Sequence, residues 1–120
     1  MSERSEQRFE GRQQPELLVI GPTEALLRHD DGEMGVVEMR LPAGFSGPPA
    51  HVHRDHSHVW YILDGELYVA VDGNRQILVA GDTLAVAAGS RHAWWTEGSS
   101  ARVLEIDRPS LGAYYRGLAA

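Results

Sequence analysis

Short runs of Val, Leu, Ile, Trp and Tyr alternate with polar residues along most of the chain, and they break at Gly, Pro or Asp about every eight to twelve residues. That rhythm predicts an all-β protein. Strands are predicted over 16–20, 24–29, 33–41, 50–54, 57–63, 66–72, 75–80, 83–87, 91–96 and 101–107. In Asp31-Gly32, Asp64-Gly65 and Asp72-Gly73, a residue that tolerates positive φ precedes one that prefers it, which predicts a hairpin at each. No stretch keeps a 3.6-residue apolar period for long, so Pro109 through Ala120 reads as a short helical or irregular tail. So many short strands in one small chain should close into a barrel or a two-sheet jelly roll, because an open sheet would leave its edges bare.

Alternation also assigns faces. In 57–63, His58, Trp60 and Ile62 share one face, with Val59, Tyr61 and Leu63 on the other. In 91–96, His92, Trp94 and Thr96 share a face, and in 50–54 His51 and His53 do. If these faces turn inward, four imidazoles meet in an apolar pocket. Residues i and i+2 of a strand lie roughly 6.5 to 7 Å apart, close enough for one ion to use both, and neutral imidazole is the commonest metal ligand. His51, His53, His58 and His92 are therefore the candidate metal ligands.

Composition narrows the remaining chemistry. The chain has 120 residues, which predicts one barrel domain over 15–108, flanked by a polar N-terminal arm over 1–14 and a tail over 109–120. There is no cysteine, so disulfides, thiolate sites and cysteine nucleophiles are excluded. A net charge of −6 argues against nucleic acid as a partner. No apolar run approaches a membrane span, and the polar N-terminus reads as neither signal peptide nor anchor, which predicts a cytoplasmic protein. The arm is suited to pairing with a partner's sheet edge, which predicts a homodimer.

Around the histidines, Trp60, Ile62, Trp94 and Phe45 are the candidate pocket residues, although the tryptophans fit a barrel core equally well. His56 is a candidate base, an alternative ligand or a rim residue. Thr96 is a candidate to hydrogen-bond the substrate, and His56 and Thr96 together are the catalytic candidates. No glutamate stands out as a general base. His29, beside Asp30-Asp31-Gly32, reads as structural.

Two stretches resemble a known family. Gly47-Pro-Pro-Ala-His51-Val-His53-Arg-Asp-His-Ser-His58-Val-Trp-Tyr-Ile-Leu-Asp-Gly65 resembles the first cupin motif, G-x5-H-x-H-x(3,4)-E-x6-G. Gly81-Asp-Thr-Leu-Ala-Val-Ala87-Ala-Gly89-Ser-Arg-His92-Ala-Trp-Trp-Thr96 resembles the second, G-x5-P-x-G-x2-H-x3-N. Gly47 stands closer to His51 than the motif asks, Ala87 replaces the proline and Thr96 the asparagine. His58 stands where the family has its glutamate, so three histidines and one glutamate would become four histidines.

The resemblance implies a cupin-type double-stranded β-helix, a jelly-roll barrel, holding a divalent transition metal. Zn is the first expectation, with Fe, Ni, Cu and Mn as alternatives. The resemblance implies a small-molecule substrate, and small four-histidine cupins are similar to aromatic polyketide cyclases. The leading expectation is non-redox cyclisation, isomerisation or elimination of an enolisable or aromatic compound. The alternatives are an Fe-, Ni- or Cu-dependent dioxygenase of the quercetinase or diketone-cleaving kind, and a non-catalytic cupin that binds a sugar or small effector.

Overall fold

The computed structural model describes residues 13–120, so nearly all of the arm expected over 1–14 lies outside the described residues. In chain order the strands are β1 (Glu16–Ile20), β2 (Thr23–Asp30), β3 (Gly35–Leu41), β4 (His51–Val52), β5 (Ser57–Val71), β6 (Asn74–Val79), β7 (Thr83–Val86), β8 (Arg91–Trp95) and β9 (Ala101–Arg108), followed by helix α1 (Gly112–Ala119). All strand pairings are antiparallel, in the order β1-β2-β3-β9-β5-β8-β4, with β6 and β7 also on β5. The expected all-β jelly roll is the fold the chain adopts.

The organising element is β5. Its 15 residues are one unbroken strand, and the hairpin expected at Asp64-Gly65 does not form. Positive φ at Gly65 (+79°) was correctly foreseen, but it serves a bulge: the register against β9 slips between Ile62 and Asp64. A Cβ at Gly65 would collide with the carbonyl of Ser100, the residue that leads into β9, so the chain entering β9 passes tightly against this glycine. The bulge lets one strand serve two sheets. Residues before it pair with β9 and β7, and residues after it pair with β6 and β8. The other two hairpins form as expected, and Asp72 (φ +48°) and Gly73 (φ +85°) take the positive-φ pair that a two-residue turn requires.

The core lies between the sheets. Ala25, Val37, Ile62, Leu67, Val69 and Val103 are fully buried, on the inward parity of their strands. The tail becomes helix α1, too short to stand alone. Tyr115 is buried beneath it, and Arg116 reaches Glu16 (3.1 Å) on β1 and Asp30 (3.0 Å) on β2. Among the described residues no helix is long and apolar enough to cross a membrane.

Candidate metal centre

Strand pairing assembles the histidines. His51 on β4 lies directly opposite His92 on β8, and His92 also pairs across to Val71 on β5. His53 follows β4 by one residue, and its carbonyl accepts a hydrogen bond from the Gly89 N–H (3.0 Å), which ties it to the turn before β8. Each of His51, His53 and His92 offers a ring nitrogen within 4.8 Å of the others'. The His58 ring approaches from β5, with its centroid 5.1 Å from that of His53 and 5.3 Å from that of His92.

Three of these rings are held at the same atom. His51 Nδ1 contacts the Pro49 carbonyl (3.1 Å), His92 Nδ1 the Ser90 carbonyl (3.0 Å) and His58 Nδ1 the Asp107 carboxylate (2.6 Å). With Nδ1–H donating, each leaves Nε2 as the lone-pair nitrogen. His58 Nε2 is buried and has no hydrogen-bond partner among the described residues. A buried imidazole nitrogen left without a partner is costly. Beside three convergent histidines, it fits the place of a ligand to a divalent cation. All-nitrogen donors suit Zn, Fe, Ni or Cu alike.

The electrostatics favour neutral, ligating rings. Burial, and then the neighbouring imidazoles, lower the pKa of His53 to about 4. Burial also lowers those of His58 and His92. Behind His58 sits a carboxyl pair on β9. Burial, and then the charge of Asp107, raise Glu105 to about 8, and burial raises Asp107 to about 7. Glu105 accepts hydrogen bonds from Trp60 Nε1 (2.7 Å) and from the Tyr115 hydroxyl.

The four histidines open onto a cavity of about 370 Å³ between the sheets, walled by Trp60, Trp94, Phe45, Met39 and Leu41, with Tyr114 and Leu118 from α1 on one side. That volume suits a small organic molecule. Trp60 and Trp94 stack with centroids 5.0 Å apart, forming a flat aromatic wall.

Other candidates fall elsewhere. Ile62 shares the inward parity but is buried in the core and does not line the cavity. Thr96 is also buried away from it: its hydroxyl donates to the Pro42 carbonyl and accepts from the Phe45 N–H (2.9 Å). Its single O–H donor and one of its lone pairs are engaged by the loop, so the structure places Thr96 as an anchor for Phe45, off the cavity wall. His56 lies 6.1 Å from His53, centroid to centroid, half-buried and off the cavity wall. His29 contacts Asp31 in its turn (3.0 Å).

A cupin-domain family profile matches residues 37–107, more than half of the chain. The chain belongs to the cupin family. Over 69 residues, 56% of its length, this cupin is 34% identical to quercetin 2,3-dioxygenase of Bacillus subtilis (strain 168). The match covers 20% of that enzyme, so the chain spans about a fifth of the curated relative's length. Among solved structures, an RmlC-like cupin from Shewanella frigidimarina NCIMB 400 superposes with a TM-score of 0.77 at 27% identity, over 90% of this chain and 96% of its own. The polyketide cyclase RemF from Streptomyces resistomycificus gives 0.70 at 16% identity, over 87% and 80%, a likeness of fold alone.

Sequence reasoning missed Glu105, Asp107 and the α1 wall of this cupin. The signal for the carboxyls was present: Ala101 and Val103 face inward, and their parity continues to Glu105 and Asp107. Hydrophobicity pointed instead to Leu104 and Ile106, which are only half-buried.

Proposed function

We propose that the cavity is the active site of a metal-dependent enzyme acting on a small, flat, largely apolar molecule with an enolisable carbonyl, through non-redox cyclisation, isomerisation or elimination. The observation that carries this is the buried, unpartnered His58 Nε2 beside the His51–His53–His92 group, on the floor of an aromatic cavity. His51, His53, His58 and His92 would hold the cation. Four neutral imidazoles leave a divalent ion its full charge, so when bound it supplies Lewis acidity toward a carbonyl oxygen.

The chain's own residues would do the rest. Trp60 and Trp94 offer a planar face against which a ring can stack. Phe45, held by Thr96, together with Tyr114 and Leu118 narrows the cavity and keeps water from the reacting carbonyl.

The likeness to part of a quercetin dioxygenase favours a second reading, oxygen-dependent ring cleavage. One experiment separates the two. Purified protein, assayed for metal content, is offered β-dicarbonyl aromatics and quercetin with and without dioxygen. We expect a divalent transition metal in the protein and turnover of a β-dicarbonyl aromatic that persists anaerobically. Oxygen uptake matching substrate loss would replace this reading with the dioxygenase, and ligand binding without metal would leave a binding module. His58→Glu should retain metal while activity falls, because a carboxylate ligand lowers Lewis acidity.

A further inference from the structure

We infer that Asp107 is a positioning residue for the metal centre, acting through His58: its carboxylate fixes which ring nitrogen of His58 faces the cavity. The inference rests on the metal reading above and deepens it.

His58 and Asp107 are direct cross-strand partners on β5 and β9, and the next inward pair along the same two strands is Trp60 and Glu105. The His58 and Asp107 side chains are 2% and 0% exposed, so water does not compete for the 2.6 Å contact. His51 and His92 are oriented by neutral carbonyls two residues away in sequence, Pro49 and Ser90. Of these three rings, His58 alone contacts a carboxylate among the described residues, from a residue 49 positions distant. A carboxylate that accepts Nδ1–H selects the tautomer whose Nε2 carries the lone pair, and it makes that nitrogen a better donor to a metal.

The partners of Glu105 complete the case. Trp60 and Tyr115 hold Glu105 at the neighbouring position, and although one of its oxygens lies within 4.8 Å of a His58 ring nitrogen, it makes no hydrogen bond to that ring. Among the described residues Asp107 Oδ2 has no hydrogen-bond partner, Glu105 is its neighbouring carboxyl, and Oδ1 is the atom that meets the His58 ring. Replacing a buried polar pair with apolar side chains often leaves a protein as stable or more so. Fold stability alone therefore gives little reason for a carboxylate here. The family motif places a glutamate directly on the metal at the position His58 occupies. In this chain the carboxylate stands one ring further back.

Zinc alone is titrated calorimetrically into metal-free wild type, Asp107→Asn, His58→Ala and the double variant, with circular dichroism to check folding. Asparagine keeps the shape of the side chain and an acceptor oxygen but loses the charge. We expect Asp107→Asn to weaken zinc binding by about 10- to 100-fold, and to change it by less than about two-fold when His58 is already alanine. In metal-free wild type at pH 8, above the value of about 7 to which burial raises Asp107, imidazole 15N NMR should show His58 protonated at Nδ1. An unchanged zinc affinity in Asp107→Asn, or an equal loss in the His58→Ala background, overturns the inference. So does a His58 protonated at Nε2 in wild type. The NMR measurement needs no variant, so it decides the matter even where a substitution harms folding. If wild type binds none of Zn, Co or Ni, the metal reading fails, while the NMR result still shows whether Asp107 sets the ring.

Discussion

Glu105 keeps its proton to about pH 8, far above an ordinary glutamate, because ionising it would bury a charge beside Asp107. An unfolded chain releases that proton near pH 4.3. Between those values the folded state holds a proton that the unfolded state has lost, so stability falls as pH rises. Asp107 acts with the same sign up to about 7. The depressed histidines act oppositely, but only below about pH 6.5, where an unfolded imidazole takes up a proton that the folded one refuses. From about 6.5 to 8 the carboxyls act alone. Denaturant melts of metal-free protein should show stability dropping across that window, by up to about 1.4 kcal/mol per pH unit from Glu105, with Asp107 adding to it only up to about pH 7. Glu105→Gln should flatten the profile, and a flat wild-type profile would refute the assignment. The histidines were legible in sequence because parity and spacing agree on them. Glu105 and Asp107 were not, since a charged residue on an inward face looks like an outward one until its cross-strand partner is known.

At the scale of elements, the strands and most turns could be read from alternation and Gly-Asp punctuation. The break expected at Asp64-Gly65 could not be, and the reason is physical. Positive φ serves a turn and a bulge equally, and the choice rests with the partner strand, here β9 running past the bulge. Gly65→Ala should cost about 2–4 kcal/mol, from positive φ and the contact with the Ser100 carbonyl together. The same change at Gly73, where a Cβ meets nothing within 4 Å, should cost less. Thermal melts of the two variants test this, and equal losses would mean that crowding at the bulge is not what demands glycine. For a related reason the tail reads only as short helical or irregular: the eight residues of α1 carry too little apolar period to decide, and the helix's place depends on Tyr115 meeting Glu105 and on Arg116 meeting Glu16 and Asp30.

For the molecule as a whole, a cation held only by the folded barrel must stabilise it. Zinc at one hundred times its dissociation constant should add about 2.7 kcal/mol, a rise of several degrees in Tm by calorimetry. His92→Ala, which removes the ring facing His51, should abolish that rise; a rise that survives would place the ion elsewhere. Fold class was legible here because so many short strands have few ways to close. The reaction was not, because cavity volume and wall chemistry come from residues as distant as Phe45 and Leu118.

The pairing of β5 with β9 has a consequence for how the chain reaches this state. His58 and Asp107 are separated by 49 residues and Trp60 and Glu105 by 45, and non-local pairings of this kind slow folding because loop closure must be paid before they form. During synthesis, all five histidines from His51 to His92 leave the ribosome before the carboxyls that brace them. On the proposed metal reading, tight capture depends on the β5–β9 pairing that brings Asp107 to the His58 ring.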